Sequence, residues 1–305
     1  MIGPEARQAL LSALGAEIRF DVPMARLTSL RVGGPADAVA TPADRSRLAL
    51  ALRTCHALRL PHLVLGGGFN TLALDGRLQG VVIQLSRFRR IEERPGSLLR
   101  VEAGVSHSQV TRFCVERGLS GLEFASGIPG SVGGWLAMNA GVPGRELADV
   151  LAELEVMSPT GACLRHLPAE RLRPTYRALR GLAPGSAIVS ALLRVQPAPR
   201  EAVRAEVERL LERRAATQPL SVPSCGSVFK NPKGDYAGRL IEAAGLKGHR
   251  VGGAQFSPMH ANFIANLGGA SAADVCALIR EAQTRVHAAS GLHLEPEVRI
   301  VGEKA

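Results

Sequence analysis

The chain has 305 residues, 46% of them hydrophobic and 21% charged, which is enough to bury a core and to divide into two or three domains. Aromatic residues make up 4% against 33 glycines and 19 prolines, so base-stacking nucleic-acid platforms are disfavoured and close backbone approach to ligands is favoured. The net charge of +10 is scattered along arginine-rich helices; it suits anionic small molecules, or reflects nothing more than arginine-rich genomic composition, and nucleic acid is not expected as a partner.

Taken in chain order, apolar residues recur at helical spacing from Arg45 to Leu60. After Pro61 the run Leu63-Val64-Leu65 predicts a strand that ends in Gly66-Gly67-Gly68. Gly80 to Leu85 predicts another strand, closing a small α/β unit. Leu98 to Ala103 reads as a strand and Ser108 to Arg117 as a helix with Ser106 as its cap; a glycine-rich segment follows through Gly141. Strands over Leu151 to Ser158, Gly161 to His166 and Ile188 to Val195 complete a second α/β unit, and Gln196-Pro197-Ala198-Pro199 reads as a linker. Beyond it, Arg200 to Ala216, Tyr236 to Ala244 and Ser271 to Ser290 are predicted helices, the last with Asp274 favourably near its N-terminus.

The cysteines, Cys55, Cys114, Cys163, Cys225 and Cys276, include no Cys-x-x-Cys pair and no metal-ligand spacing. They read as reduced thiols, and no metal is expected. No signal region opens the chain and no stretch approaches the length of a membrane span, so a cytoplasmic protein without membrane insertion is the expectation.

Three glycine-bearing segments carry the chemistry. Consecutive glycines at 66–68 let main-chain N–H groups turn inward around a pyrophosphate, although the Gly-x-Gly-x-x-Gly order of a Rossmann turn is absent and a plain hairpin has the same composition. Gly127-Ile128-Pro129-Gly130-Ser131-Val132-Gly133-Gly134 places glycines where side chains would obstruct a flat ring or phosphate, and Asn139 offers amide hydrogen bonds just after it. Gly226-Ser227-Val228-Phe229-Lys230-Asn231-Pro232 sets one hydroxyl between a permissive glycine and a Lys-Asn pair suited to an anion; alone, it also describes a turn entering a buried strand.

Together with Gly245-Leu246-Lys247-Gly248, His260-Ala261-Asn262-Phe263 and Leu294-Glu295-Pro296-Glu297, these segments resemble the UDP-N-acetylenolpyruvoylglucosamine reductase family, in its shorter subtype, from about Thr28 to Gly302. The resemblance implies an α+β fold: a two-part FAD-binding region of the vanillyl-alcohol-oxidase type, residues 1–86 and 87–198, then an α/β substrate-binding domain, residues 199–305. It implies an oxidoreductase of peptidoglycan precursor synthesis, a monomer, that uses NADPH and non-covalent FAD to reduce UDP-N-acetylglucosamine enolpyruvate to UDP-N-acetylmuramate. Ser227 then corresponds to the proton donor, Arg177 to the arginine that polarises the substrate carboxylate, and Glu297 to the glutamate that supports the enolate-like intermediate. Arg31, Gly33, Gly66, Gly67, Gly68, Asn70, Gly127, Gly130, Ser131, Gly133, Gly134 and Asn139 correspond to cofactor-binding positions, and Thr28 to Pro35 resembles the first flavin-contacting strand. Tyr176, Lys230, Asn231, Lys247, His260 and Asn262 fall in substrate-facing segments.

The chain departs from the family pattern at Phe69 and Leu179, where serine is usual, at Trp135, where a small residue is usual, and at Pro143, where tyrosine is usual. Trp135 is expected to add bulk near the flavin ring. Two alternatives stay open: a flavin oxidoreductase of the same fold acting on another substrate, and a non-catalytic descendant that binds flavin or a UDP-sugar.

Overall fold

Punctuation by Gly, Pro and capping residues divides the chain into short elements, and a computed structural model describes residues 1–303. In chain order these are α1 (Pro4–Leu14), β1 (Ile18–Pro23), β2 (Pro35–Ala40), α2 (Arg45–Ala57), β3 (His62–Leu65), β4 (Thr71–Ala73), β5 (Leu78–Gln84), β6 (Ile91–Arg94), β7 (Leu98–Glu102), α3 (His107–Arg117) and β8 (Leu119–Ser120). There follow α4 (Val132–Ala137), β9 (Gly141–Val142), β10 (Arg145–Glu146), α5 (Leu147–Val150), β11 (Leu151–Met157), β12 (Leu164–Pro168), β13 (Arg173–Thr175), β14 (Ala178–Arg180), β15 (Ala187–Arg194) and β16 (Gln196–Pro197). The C-terminal part comprises α6 (Arg200–Thr217), β17 (Ser224–Ser227), α7 (Ala237–Ala243), β18 (Arg250–Val251), β19 (Ala254–Phe256), β20 (Phe263–Asn266), α8 (Ala272–Ser290) and β21 (Arg299–Val301).

Two compact units emerge. Unit 1 comprises residues 1–20, 37–67 and 80–213; unit 2 comprises 21–36, 68–79 and 214–305. Segments 21–36 and 68–79, which the sequence groups with the first 86 residues, therefore cluster with the C-terminal part.

Among the described residues, unit 1 contains two larger sheets and three two-stranded pairs, β9 with β10, β13 with β14 and β8 with β16. One larger sheet has the order β1-β2-β5-β3, with β3 parallel to β5; the other has the order β12-β11-β15-β7-β6 and is antiparallel throughout. Helices form where caps satisfy their first N–H groups: the Asp44 side chain accepts from Arg47 N–H at the start of α2, and Ser106 with Gln109 closes a reciprocal capping box on α3. One core packs Leu48, Leu52, Ile83 and Phe88, and a second packs Leu99, Val101, Leu136, Leu154 and Leu193. The expected linker at 196–199 is instead paired: Gln196 and Pro197 lie opposite Ser120 and Leu119, and the Ala198 N–H donates to the Gly118 carbonyl.

Unit 2 has the antiparallel sheet β17-β20-β19-β18 and a two-stranded parallel pair, β21 with β4. Its core joins Leu30 and Leu72 to Phe229, Leu240, Phe256, Ile264 and Leu278. Ser271 and Asp274 form a capping box on α8, and the Asp75 carboxylate accepts from the next two donors, the N–H groups of Ala272 and Ala273, both at 2.8 Å. The stretch Thr28–Gly34, expected to belong to a strand, is a turn: Arg31 has φ +57° and Gly33 φ +117°, and extended backbone resumes at Pro35. Among the described residues, no helix is long and apolar enough to cross a membrane.

Candidate active site

In unit 1 the two glycine clusters meet. A Cβ placed on Gly66 would lie 2.8 Å from Ser131 Oγ and 3.6 Å from the Gly134 nitrogen, so the end of β3 approaches the start of α4 too closely for a side chain at position 66. Gly66 and Gly67 are exposed, while Gly127 and Gly130 take φ of +74° and +130°, conformations that disfavour a side chain. The loop is fixed from below: Val132 and Gly133 N–H groups donate to the Val105 and Ala103 carbonyls. Gly133 packs so closely on Ala103 that its own Cβ would approach the Ala103 Cβ to 2.9 Å, which makes it a packing glycine. A backbone-lined floor of this kind fits a flat, anionic group such as a flavin dinucleotide.

The Trp135 side chain is 2% exposed and packed in the unit 1 core; its indole N–H donates to the Ile128 carbonyl at 3.0 Å, and the ring lies 3.7 Å from where a Cβ on Gly130 would stand. Leu179 packs against the same core, and Pro143 sits in the two-residue turn between β9 and β10.

Asn139 is also turned inward. It is 2% exposed with φ +42°, and its amide donates to Glu146 Oε2 at 2.6 Å and to the Thr175 carbonyl at 3.2 Å while accepting from the Ala148 N–H at 3.0 Å. Thr175 ends β13, and Tyr176 and Arg177 form the tip of the β13–β14 hairpin. Arg177 has φ +60°, and its guanidinium lies over the Tyr176 ring at 4.8 Å.

In unit 2 the residues around Ser227 are assembled by main-chain pairing. Ser224 lies opposite Ala265 and Ser227 opposite Phe263, so β17 carries one extra residue there, with Gly226 at φ +74°. Such a bulge redirects the side chain that follows it. The Val228 carbonyl accepts from the Glu297 N–H at 2.7 Å and Phe229 bridges to Pro296, which sets Glu297 beside the Ser227 segment. Asn70 joins the same cluster: its amide donates to the Glu297 carbonyl at 3.1 Å, and its own carbonyl accepts from Arg299 N–H. Gly68 accepts from Ser29 N–H, and Ser29 Oγ donates to the Ser224 carbonyl at 2.6 Å, tying the loop after Gly68 to the start of β17.

The neighbouring candidates have defined partners. Lys230 pairs with Glu295, Lys247 Nζ lies 2.9 Å from Glu242 Oε1, and Asn231 Oδ1 accepts from the Ala237 N–H, capping α7. His260 Nδ1 accepts from the Asn262 N–H, and burial holds the imidazole below its ordinary value, so Nε2 carries the proton. Asn262, 3% exposed, clamps the Phe229 peptide: Oδ1 accepts from its N–H at 2.9 Å and Nδ2 donates to its carbonyl at 2.8 Å. Cys225, two residues before Ser227, is fully buried and its thiol is pushed up to about 12 by burial, then by the Glu297 charge, which keeps it protonated and inert.

The sequence singles out Ser227, Glu297 and Arg177 as candidates but not the groups that position their segments. Glu146 and Thr175 carry no motif, and the clamp made by Asn262 shows only once its buried amide is seen on Phe229.

Fold and site together define a flavin-binding oxidoreductase scaffold carrying an additional C-terminal α/β region. Residues 36–166 match the model of an FAD binding domain, and residues 218–301 match that of the UDP-N-acetylenolpyruvoylglucosamine reductase C-terminal domain. The chain is 44% identical over 298 residues to a UDP-N-acetylenolpyruvoylglucosamine reductase of Geotalea uraniireducens, covering 98% of each. It is 47% identical over 295 residues to one of Geobacter metallireducens, covering 97% of each. The crystal structure of a UDP-N-acetylenolpyruvylglucosamine reductase from Thermus caldophilus superposes with a TM-score of 0.81 at 36% identity, over 93% of this chain and all of that one. A glucose dehydrogenase, Phl p 4.0202, shares the fold over 64% of this chain and 44% of its own, with a TM-score of 0.50 at 14% identity. The chain belongs to the UDP-N-acetylenolpyruvoylglucosamine reductase family.

Proposed function

We propose that this protein is a cytoplasmic, monomeric, NADPH-dependent flavoenzyme that reduces UDP-N-acetylglucosamine enolpyruvate to UDP-N-acetylmuramate for peptidoglycan synthesis. Cofactor binding is assigned to residues 1–198 and substrate binding to 199–305. FAD, when bound, supplies the two-electron chemistry that carries hydride from NADPH to one vinyl carbon of the substrate. Negative charge then builds on the other vinyl carbon and its carboxylate, and the chain must answer with a cation and an acid.

Arg177 is the cation. Its planar guanidinium suits two-point contact with a carboxylate, and the residue sits at the tip of the β13–β14 hairpin. Ser227 is the acid: its hydroxyl proton goes to the carbon that bears the negative charge, and the serine is reprotonated afterwards. Glu297 steadies the charge that shuttles through this position. The observation that carries this reading is the 2.7 Å bond between the Glu297 N–H and the Val228 carbonyl, which sets the carboxylate-bearing residue beside the serine. Gly66, Gly67, Gly127, Gly130, Ser131 and Gly134 are assigned to the cofactor, as are Arg31, Gly33, Gly68 and Asn70. Tyr176, Lys230, Asn231, Lys247 and His260 are assigned to the UDP moiety.

Stopped-flow measurement of the two half-reactions tests the assignment. Ser227→Ala is expected to bleach its flavin with NADPH at a near-parental rate, because the hydroxyl has no part in that step. Reoxidation by UDP-N-acetylglucosamine enolpyruvate is expected to slow by about 10²-fold or more. Equal slowing of both steps would remove Ser227 from the acid role.

A further inference from the structure

Among the described residues, the β13–β14 hairpin that presents Arg177 pairs with no other strand: three residues on each side form a separate two-stranded sheet, and Arg173, Pro174, Thr175 and Tyr176 are exposed. An isolated hairpin of that size does not hold its own tip. The base is anchored by Leu172, which is buried, and by Leu179, which packs on the unit 1 core. The tip is anchored differently. Asn139 reaches the carbonyl of Thr175, the residue before the turn, and its second amide hydrogen goes to Glu146. Glu146 in turn caps α5, and its own N–H donates to Asp149, so the acceptor is fixed in place. The Asn139 backbone lies at φ +42°, a conformation asparagine tolerates better than most residues.

We propose that Asn139 is a positioning residue for Arg177, with Glu146 as its orienting partner, and does not contact the flavin. Both amide hydrogens are consumed within the protein, the oxygen accepts from Ala148, and the side chain is 2% exposed, so no donor remains for a cofactor. The inference rests on the role of Arg177 given above. It links the loop after α4, which follows the glycine floor, to the residue that meets the substrate carboxylate.

The test uses the FAD-loaded protein. Asn139→Ala is expected to retain its flavin and to be reduced by NADPH within about twofold of the parent rate. Its dissociation constant for UDP-N-acetylglucosamine enolpyruvate should rise, and reoxidation by that substrate should slow by up to about 10²-fold, the scale of a misplacement of roughly 1 Å. In an Arg177→Ala background the same substitution should add less than about twofold, because the two residues act as one. Full additivity on a slow Arg177→Ala would overturn the inference alone; a parental reoxidation rate in Arg177→Ala would remove the role of Arg177 and the inference with it.

A paired variant separates positioning from folding. Asn139→Asp with Glu146→Gln reverses donor and acceptor, preserving the 139–146 contact and an acceptor for Ala148 but leaving the Thr175 carbonyl without a donor. Thermal stability should return toward that of the parent while slow reoxidation persists. Recovery of reoxidation along with stability would show that Asn139 serves its own loop and not Arg177.

Discussion

Each unit is held by a buried polar network, and the two are built from opposite chemistry. In unit 1 the Arg45 guanidinium grips Glu155 through two 2.7 Å hydrogen bonds and reaches Glu102 at 3.0 Å, while Arg100 and Ser190 also donate to Glu155. In unit 2 the strand that carries Ser227 is held by a neutral amide, Asn262 on the Phe229 peptide. The ionic network spans α2, β7, β11 and β15 and so ties a helix to three strands of the five-stranded sheet. The amide clamp acts over one peptide. The first arrangement is strong but tied to the protonation of carboxylates, whereas the second does not titrate.

The largest effect expected is at the neutral clamp. Asn262→Leu leaves a buried N–H and a buried C=O on Phe229 without partners, at about 1–3 kcal/mol each, so unit 2 should lose about 4 kcal/mol in denaturant titration. That loss should be the same at pH 5 and pH 8. A strong pH dependence would show that unit 2 also leans on a titrating group.

Next comes the ionic network. Burial by itself would raise the Glu155 carboxyl, but hydrogen bonds from Arg45, Ser190 and Arg100 outweigh it and hold the group at about 2, below its ordinary value of 4.5. A depressed folded value means that the stabilisation is fully present above pH 4.5 and is lost as pH falls from 4.5 toward 2. Glu155→Gln should cost about 3 kcal/mol at neutral pH, the lower part of the range for a broken buried pair, because the Arg45 and Arg100 side chains keep 29% and 27% of their exposure. The variant should also lose most of the parent's acid sensitivity in that window. Trp135, the single tryptophan of the chain, lies in unit 1 and reports its unfolding by fluorescence.

The smallest effect is expected at Asp75, a carboxylate within unit 2 that caps α8. Asp75→Ala should cost about 1 kcal/mol and Asp75→Asn less, since the amide oxygen still accepts one of the two N–H groups. Equal losses from both substitutions would mean that the charge, acting on the helix dipole, outweighs the hydrogen bonds.

Local features were legible in the sequence to the extent that local chemistry causes them. Ser106 and Ser271 mark helix starts because their hydroxyls accept from N–H groups within three residues, and both helices begin one residue after them. The helix at Pro4–Leu14 carried the same kind of signal, a proline at its first turn followed by Glu5, and is not among the expected elements. Glycine clusters were legible because a missing side chain is itself the message, and Gly66 does lie against Ser131 and Gly134. Destinations of side chains were not. Whether the Trp135 indole faces the floor or the core, and whether the Asn139 amide meets a ligand or Thr175, depends on residues far along the chain. Nor does periodicity reveal that Thr28–Gly34 turns, since its conformation is set by contacts such as the Asn266 amide on the Leu30 carbonyl, 236 positions away.

The parallel pairing of β4 with β21 has a consequence for how the chain can be made and cut. Thr71 to Ala73 leave the ribosome long before the strand they pair with, Arg299 to Val301. Segments 21–36 and 68–79 must therefore wait, without their partners, until the residues from 214 to 301 have emerged, which gives unit 2 a high contact order and a slow closure. For the same reason a fragment starting at residue 199 or 214 lacks one strand of the β4–β21 pair, the Leu30 and Leu72 side chains of the core, and the Asp75 cap on α8. The C-terminal region thus cannot be transplanted as a continuous piece; a chimera that carries it must bring those two N-terminal segments as well.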